Sequence, residues 1–222
     1  KQVTVLEQYT KPGGYMHSFK RFDQTFDTGA HYIGAMGEGQ PFRVLLEYLG
    51  IYDPKLFTPL DPKGFDLLHF PEGTITFAQG YANVISELKA IFPNEHSAIE
   101  RYFALIKNIS DCFPTYRYND RPDLSFPPEA LDMSLKQIVE GLTQNSRLQS
   151  VFYAYCSLHG VDAADVAFGF HAIVTDSLIE GAYGMNSGDN LTDAYVRAIR
   201  AHGGEVLTRH KVTALSVGED RN

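Results

Sequence analysis

The strand-forming stretches of this 222-residue chain lie at its two ends, with a mostly helical block between them. The run "VTVLE" is β-branched, apolar and short, which predicts a buried strand over Val3–Glu7. At the far end "EVLTRH" and "KVTALSV" predict two more short strands. A lone strand is not stable in water. Either the two ends meet in one sheet, or they belong to a sheet whose other strands lie elsewhere. Both alternatives give an α/β fold with a large helical insertion.

The stretch between the two ends carries its own punctuation. Lys11-Pro12-Gly13-Gly14 marks a loop, and "SFKRFDQTFDTG" sets Phe19, Phe22 and Phe26 among polar residues, which predicts extended structure. Residues 38–50 predict a helix with Pro41 in its first turn, an apolar stripe at Leu45, Leu46 and Leu49, and Gly50 as its stop. "FDLLHF", "PEG" and "TITFA" read as a β-hairpin. Apolar residues at three and four spacing then predict helices through "YANVISELKAIF" and "EHSAIERYFALIKNISDCF", separated by Pro93. These stripes read as core rather than as a polyene channel. "RPDLSFPPEA" reads as a Pro-rich connector, followed by helices near 131–142, 145–158 and 162–180. "GAYGMNSGD" reads as a Gly-rich loop, with Ser187 or Asp189 as N-cap of a last helix over Asn190–His202. Gly203-Gly204 closes that helix.

Composition narrows the classes. The formal net charge is −8, and no Lys/Arg run offsets it, so nucleic acid is not an expected partner. The two cysteines, Cys112 and Cys156, read as reduced thiols in or near a core. The eight His show no spacing for a zinc helix, and no metal is expected. No run approaches the roughly 18 apolar residues of a transmembrane helix. The chain opens on a strand without Met and stops after another, so both ends read as cut from something longer.

An acid at a strand end followed by paired glycines fits the second strand of a dinucleotide-binding βαβ unit. There the acid accepts hydrogen bonds from the adenosine ribose, about 20 residues beyond the glycine-rich turn. That first strand and its G-x-G-x-x-G turn are expected upstream of Lys1. The run "VLEQYTKPGGYMHSF", followed by "FDTGAHYIG", resembles the FAD-dependent oxidoreductases related to phytoene desaturase. Within that group it looks most like the branch of carotenoid isomerases and retinol saturases. "GGEVLTRHKVTAL" is similar to the family's strand that passes the adenine. The likeness is strong over residues 3–34, fair over 181–217 and thin in the helical middle.

The resemblance implies a partial Rossmann-like FAD-binding sheet built from residues 1–35 and 182–222, with residues 36–181 as a helical substrate-binding cap containing the hairpin. It implies that Glu7 binds the adenosine ribose and that Gly13 and Gly14 let the backbone approach the diphosphate and ribityl chain. Gly29 and His31 would lie near the isoalloxazine ring, and Val212 would meet the adenine through its backbone. Related amine oxidases carry Arg after the double glycine. Tyr15 stands there in this chain, which removes one phosphate partner.

The implied activity is desaturation, saturation or isomerisation of an apolar polyene, with flavin N5 accepting or returning a hydride. No side chain is assigned as catalytic; His31 is the first candidate for proton transfer. Such substrates dissolve in membranes, so a cytoplasmic protein, or one in peripheral contact with a membrane, is expected. Two other readings stand beside this one. The chain is a non-catalytic substrate-binding piece, or it is a flavoprotein of the amine-oxidase kind acting on a polar amine. The isolated chain is expected to bind FAD weakly or not at all. The edge of its first strand invites a homodimer.

Overall fold

The computed structural model describes residues 3–113 and 132–216. Its strands in chain order are β1 Thr4–Leu6, β2 Ser18–Arg21, β3 Gln24–Asp27, β4 Tyr32–Ile33, β5 Phe57–Pro59, β6 Asp66–Phe70, β7 Gly73–Phe77, β8 Tyr183–Met185 and β9 Glu205–Leu207. The helices are α1 Pro41–Tyr48, α2 Tyr81–Ile91, α3 His96–Cys112, α4 Leu135–Leu142, α5 Ser146–Phe152, α6 Cys156–His159, α7 Phe168–Gly181 and α8 Gly188–Ala201. Residues group into two compact units. One comprises Lys1–His31, Leu46–Thr58 and Met185–Asn222; the other comprises Tyr32–Leu45 and Pro59–Gly184.

In the first unit the two ends of the chain meet. β1 and β9 pair in parallel, with Thr4 opposite Glu205, Val5 opposite Val206 and Leu6 opposite Leu207. The ladder continues past each strand, through Glu205 N–H to Val3 O and Glu7 N–H to Leu207 O, both 2.9 Å. α8 leads into β9 through Gly203-Gly204, where Gly204 N–H donates to Ile199 O at 2.9 Å. β2 and β3 form an antiparallel hairpin, consistent with the alternating Phe pattern.

The expected burial of Val3–Glu7 is corrected by the structure. Val3, Val5 and Leu6 are exposed. Among the described residues β1 has β9 as its partner on one edge, and no layer covers its apolar side chains. The second expected strand at the C-terminal end, "KVTALSV", is not one over residues 211–216: no ladder forms there among the described residues. Strand-prone residues without a partner strand stay irregular.

The second unit has one apolar core. The β6–β7 hairpin contributes Ile75 and Phe77, and the turn between its strands closes Phe70 opposite Gly73. α2 contributes Val84 and Leu88, and α3 contributes Ile99, Tyr102, Phe103 and Ile106. These are the stripes read as core from sequence. Tyr102 stacks on Phe152 with ring centroids 3.8 Å apart. Each such buried aromatic contributes about 1.5–3 kcal/mol. α7 is buried on several sides, as expected of a central helix.

Three boundaries differ from expectation. The helix expected over 145–158 breaks at Tyr153–Tyr155 into α5 and α6. Residues 162–167 are not helical. They run beside the start of α4, where Leu135 N–H donates to Val166 O at 2.9 Å and Lys136 N–H to Ala163 O at 3.0 Å. Their carbonyls satisfy helix-end donors that would otherwise be orphaned. The loop expected at "GAYGMNSGD" contains β8, which pairs antiparallel with β4, Tyr32 opposite Gly184. The Pro-rich connector lies outside the described residues.

Candidate functional site

The loop leaving β1 is held from three sides. Glu7 stays in the ladder, its carbonyl accepting from His210 N–H at 2.8 Å, while one carboxylate oxygen accepts from Tyr9 N–H at 2.7 Å. The half-buried carboxylate is thereby folded back over the strand end. Tyr9 O accepts from Arg209 N–H at 2.9 Å, tying the loop to the segment after β9. His17 Nε2 donates to Lys11 O at 3.0 Å and Pro12 O at 2.8 Å.

Asp189, in the first turn of α8, fixes the far side of the loop. Its carboxylate accepts from Lys11 Nζ at 2.9 Å, from Ser18 N–H at 3.3 Å and from Ser18 Oγ. Burial pushes Asp189 up, but the bonds from Ser18 and Lys11 outweigh it and hold its carboxyl below the usual carboxylate range. Ser187 is the N-cap residue, yet its side chain makes no capping bond. Asp189 serves the loop instead.

The paired glycines answer to different constraints. Gly13 has φ +123°, and a Cβ there would lie 2.8 Å from Thr192 Oγ1 on α8. Gly14 has φ +53°, and a Cβ there would meet nothing within 4 Å. The space beside Gly14 is open, and Tyr15 next to it is 85% exposed. Among the described residues no atom occupies the room that a side chain at position 14 would take, so the backbone there is open to approach.

Gly29 is brought to the same cluster: a Cβ on it would lie 3.0 Å from Tyr15 Cβ. Thr28 N–H donates to His17 O at 3.0 Å, locking the exit of β3 onto the loop. Glu7, Gly13, Gly14, Tyr15 and Gly29 therefore share one loop cluster. His31 does not join it among the described residues. Its side chain is exposed, and its carbonyl accepts from Met185 N–H at 3.2 Å. Val212 is exposed in the irregular segment beyond β9.

Sequence reasoning missed Lys11, Ser18 and Thr192, whose roles depend on a helix far along the chain. It also missed two polar clusters in the second unit. Tyr32 and Tyr155 each donate to Asp66 Oδ2 at 3.1 Å. Burial pushes Asp66 up, and the two phenols only partly offset it; burial and the Asp66 charge push both phenols up as well. The second cluster centres on His171, which is fully buried on α7. Its Nε2 lies 2.7 Å from Tyr102 Oη, and its Nδ1 lies 3.0 Å from His159 Nε2. Burial, then the neighbouring His159, pushes His171 down to about 3. An acid inside an apolar strand and a His inside an apolar helix were the available signals.

Among the described residues no helix is long and apolar enough to cross a membrane. The chain is similar to all-trans-retinol 13,14-reductase of Macaca fascicularis, 31% identical over 233 residues, covering 97% of this chain and 38% of that protein. It is similar to chloroplastic prolycopene isomerase 2 of an Oncidium hybrid cultivar, 33% identical over 103 residues, 46% of this chain and 17% of that protein. The chain thus spans under two fifths of the retinol reductase it matches. Its fold resembles that of an oxidoreductase from Methanosarcina mazei, with a TM-score of 0.64 at 15% identity, over 98% of this chain and 48% of that one. The model of the flavin containing amine oxidoreductases matches residues 1–222. The chain belongs to the flavin containing amine oxidoreductase family.

Proposed function

We propose that this chain is part of an FAD-dependent oxidoreductase that acts on an apolar polyene, a retinoid or carotenoid. The observation that carries the reading is the parallel β1–β9 pair with Glu7 at its tip and the open Gly14 turn beyond it. That arrangement suits the adenosine half of a dinucleotide. The similarity to retinol reductases and prolycopene isomerases supports the substrate class.

Residues of the chain would divide the work. Glu7 would accept hydrogen bonds from the ribose hydroxyls. Gly13 and Gly14 would let backbone come near the diphosphate, and Tyr15 and Gly29 would flank it. Val212 would offer backbone to the adenine edge, and His31 would stand toward the ring. The Lys11–Asp189–Ser18 network would keep the turn rigid before the cofactor arrives, reducing the ordering entropy lost on binding. When bound, the flavin supplies two-electron chemistry. The second unit would contribute the apolar, water-excluding surface for the substrate. Residues 1–35 and 182–222 would form the cofactor part and residues 36–181 the cap. The open edge of β1 would take a further strand, from the rest of the protein or from a second copy.

The experiment is turnover of the full-length protein on retinol, lycopene isomers and simple amines, alongside flavin absorbance of Glu7→Ala. Conversion of a polyene, with flavin occupancy reduced in the variant, is the expected outcome. Activity confined to amines removes the polyene assignment, and unchanged occupancy removes the role of Glu7.

A further inference from the structure

The β2–β3 hairpin ends in a two-residue loop, Phe22-Asp23, between the paired Arg21 and Gln24. Both loop residues have positive φ, 49° and 60°. Two-residue hairpin loops with positive φ at both positions favour Asn-Gly or Asp-Gly. A bulky residue such as Phe in that region is an outlier. Phe22 is also 90% exposed, so no packing among the described residues compensates for its backbone strain. Behind it Phe19 and Phe26 face each other across the strands, ring centroids 5.5 Å apart, and both are exposed. Three phenylalanines on one short hairpin thus lie outside any core of this unit. Strain held at an exposed position points to a role outside the fold.

We propose that this hairpin tip docks shallowly on a lipid surface, with Phe22 entering the interface between headgroups and acyl chains. Lys20 and Arg21, both exposed, stand just behind the tip, where anionic headgroups would meet them. Asp23 beside Phe22 opposes deeper entry, which keeps the contact at headgroup level. A protein partner is disfavoured by size. A stable protein interface takes roughly 800 Å² from each side, whereas a hairpin tip presents chiefly one aromatic side chain of about 150–250 Å² with its stacked pair behind. The inference does not depend on the polyene reading.

The chain contains no Trp. Phe22→Trp therefore places an indole reporter at the tip, read as the difference in emission from the parent protein. On mixing the full-length Phe22→Trp variant with vesicles of phosphatidylcholine and phosphatidylserine, the added indole emission is expected to shift to the blue and to be quenched by brominated lipid. Phe22→Asn suits the backbone better and removes the aromatic ring, so it tests docking without threatening folding. It is expected to weaken vesicle co-sedimentation at least about tenfold. Lys20→Gln with Arg21→Gln is expected to lower binding to phosphatidylserine vesicles by a larger factor than to pure phosphatidylcholine. Unmoved indole emission in Phe22→Trp, or equal sedimentation of Phe22→Asn and the parent, overturns the proposal. So does a change of oligomeric state in Phe22→Asn with vesicle binding intact, which assigns the tip to a protein contact.

Discussion

A Cβ at position 13 would collide with Thr192 Oγ1, whereas one at position 14 would point into open space, so Ala substitutions at the two glycines separate folding from binding. Gly13→Ala combines strain at φ +123° with that collision, and a loss of about 2–3 kcal/mol is expected in chemical denaturation. Gly14→Ala is expected to cost about 1 kcal/mol while reducing flavin occupancy of the full-length protein, read from visible absorbance. Asp189→Asn tests the brace behind the turn. Its loss of charge-assisted bonds, some of them near the surface, is expected to lower stability by about 1–2 kcal/mol at neutral pH. Because the folded carboxyl is held below its usual range, its contribution is present above about pH 4 and fades as pH falls through the folded value. Melting curves from neutral to acid pH should therefore converge for the parent and Asp189→Asn. The glycine pair was legible in the sequence because Lys-Pro-Gly-Gly announces a turn. Thr192 and Asp189 were not, because only the return of α8 gives them a partner.

Apolar spacing locates the long helices, and α2 and α3 lie where that spacing puts them. The failures share a cause. Residues 162–167 look helical by composition but are drawn off to cap α4, and β8 is too short to signal itself without β4 beside it. A capping box at Ser134 and Gln137 was present in the sequence and marks the true start of α4. Buried polar residues on helices leave a thermodynamic trace. His171, pushed down to about 3 by burial and by His159, stays neutral in the folded α7 but takes a proton in the unfolded chain below about pH 6.5. Its folded pKa is depressed, so the unfolded state binds more protons as pH falls. Stability is therefore expected to decline by up to about 1.4 kcal/mol per pH unit between roughly pH 6 and 3. Denaturant midpoints across that range check it, and His171→Phe should flatten the slope.

The two ends of the chain were expected to meet in one sheet, and β1 beside β9 realises that expectation. What pairing alone could not convey is that the strand's apolar side chains stay exposed among the described residues. An apolar edge left open favours pairing between copies. Val5→Lys on β1 is expected to reduce self-association of the isolated chain in sedimentation velocity at a cost below about 1 kcal/mol, and unchanged sedimentation would locate any self-contact elsewhere. The pairing of β4 with β8 has a different reach. It sets Tyr32 opposite Gly184 and Ile33 opposite Tyr183, so two segments far apart in the sequence are clamped on adjacent rungs of one ladder. Closing a loop costs entropy that grows only slowly with its length, so turns between those rungs can lengthen at little expense while the clamp itself stays as it is.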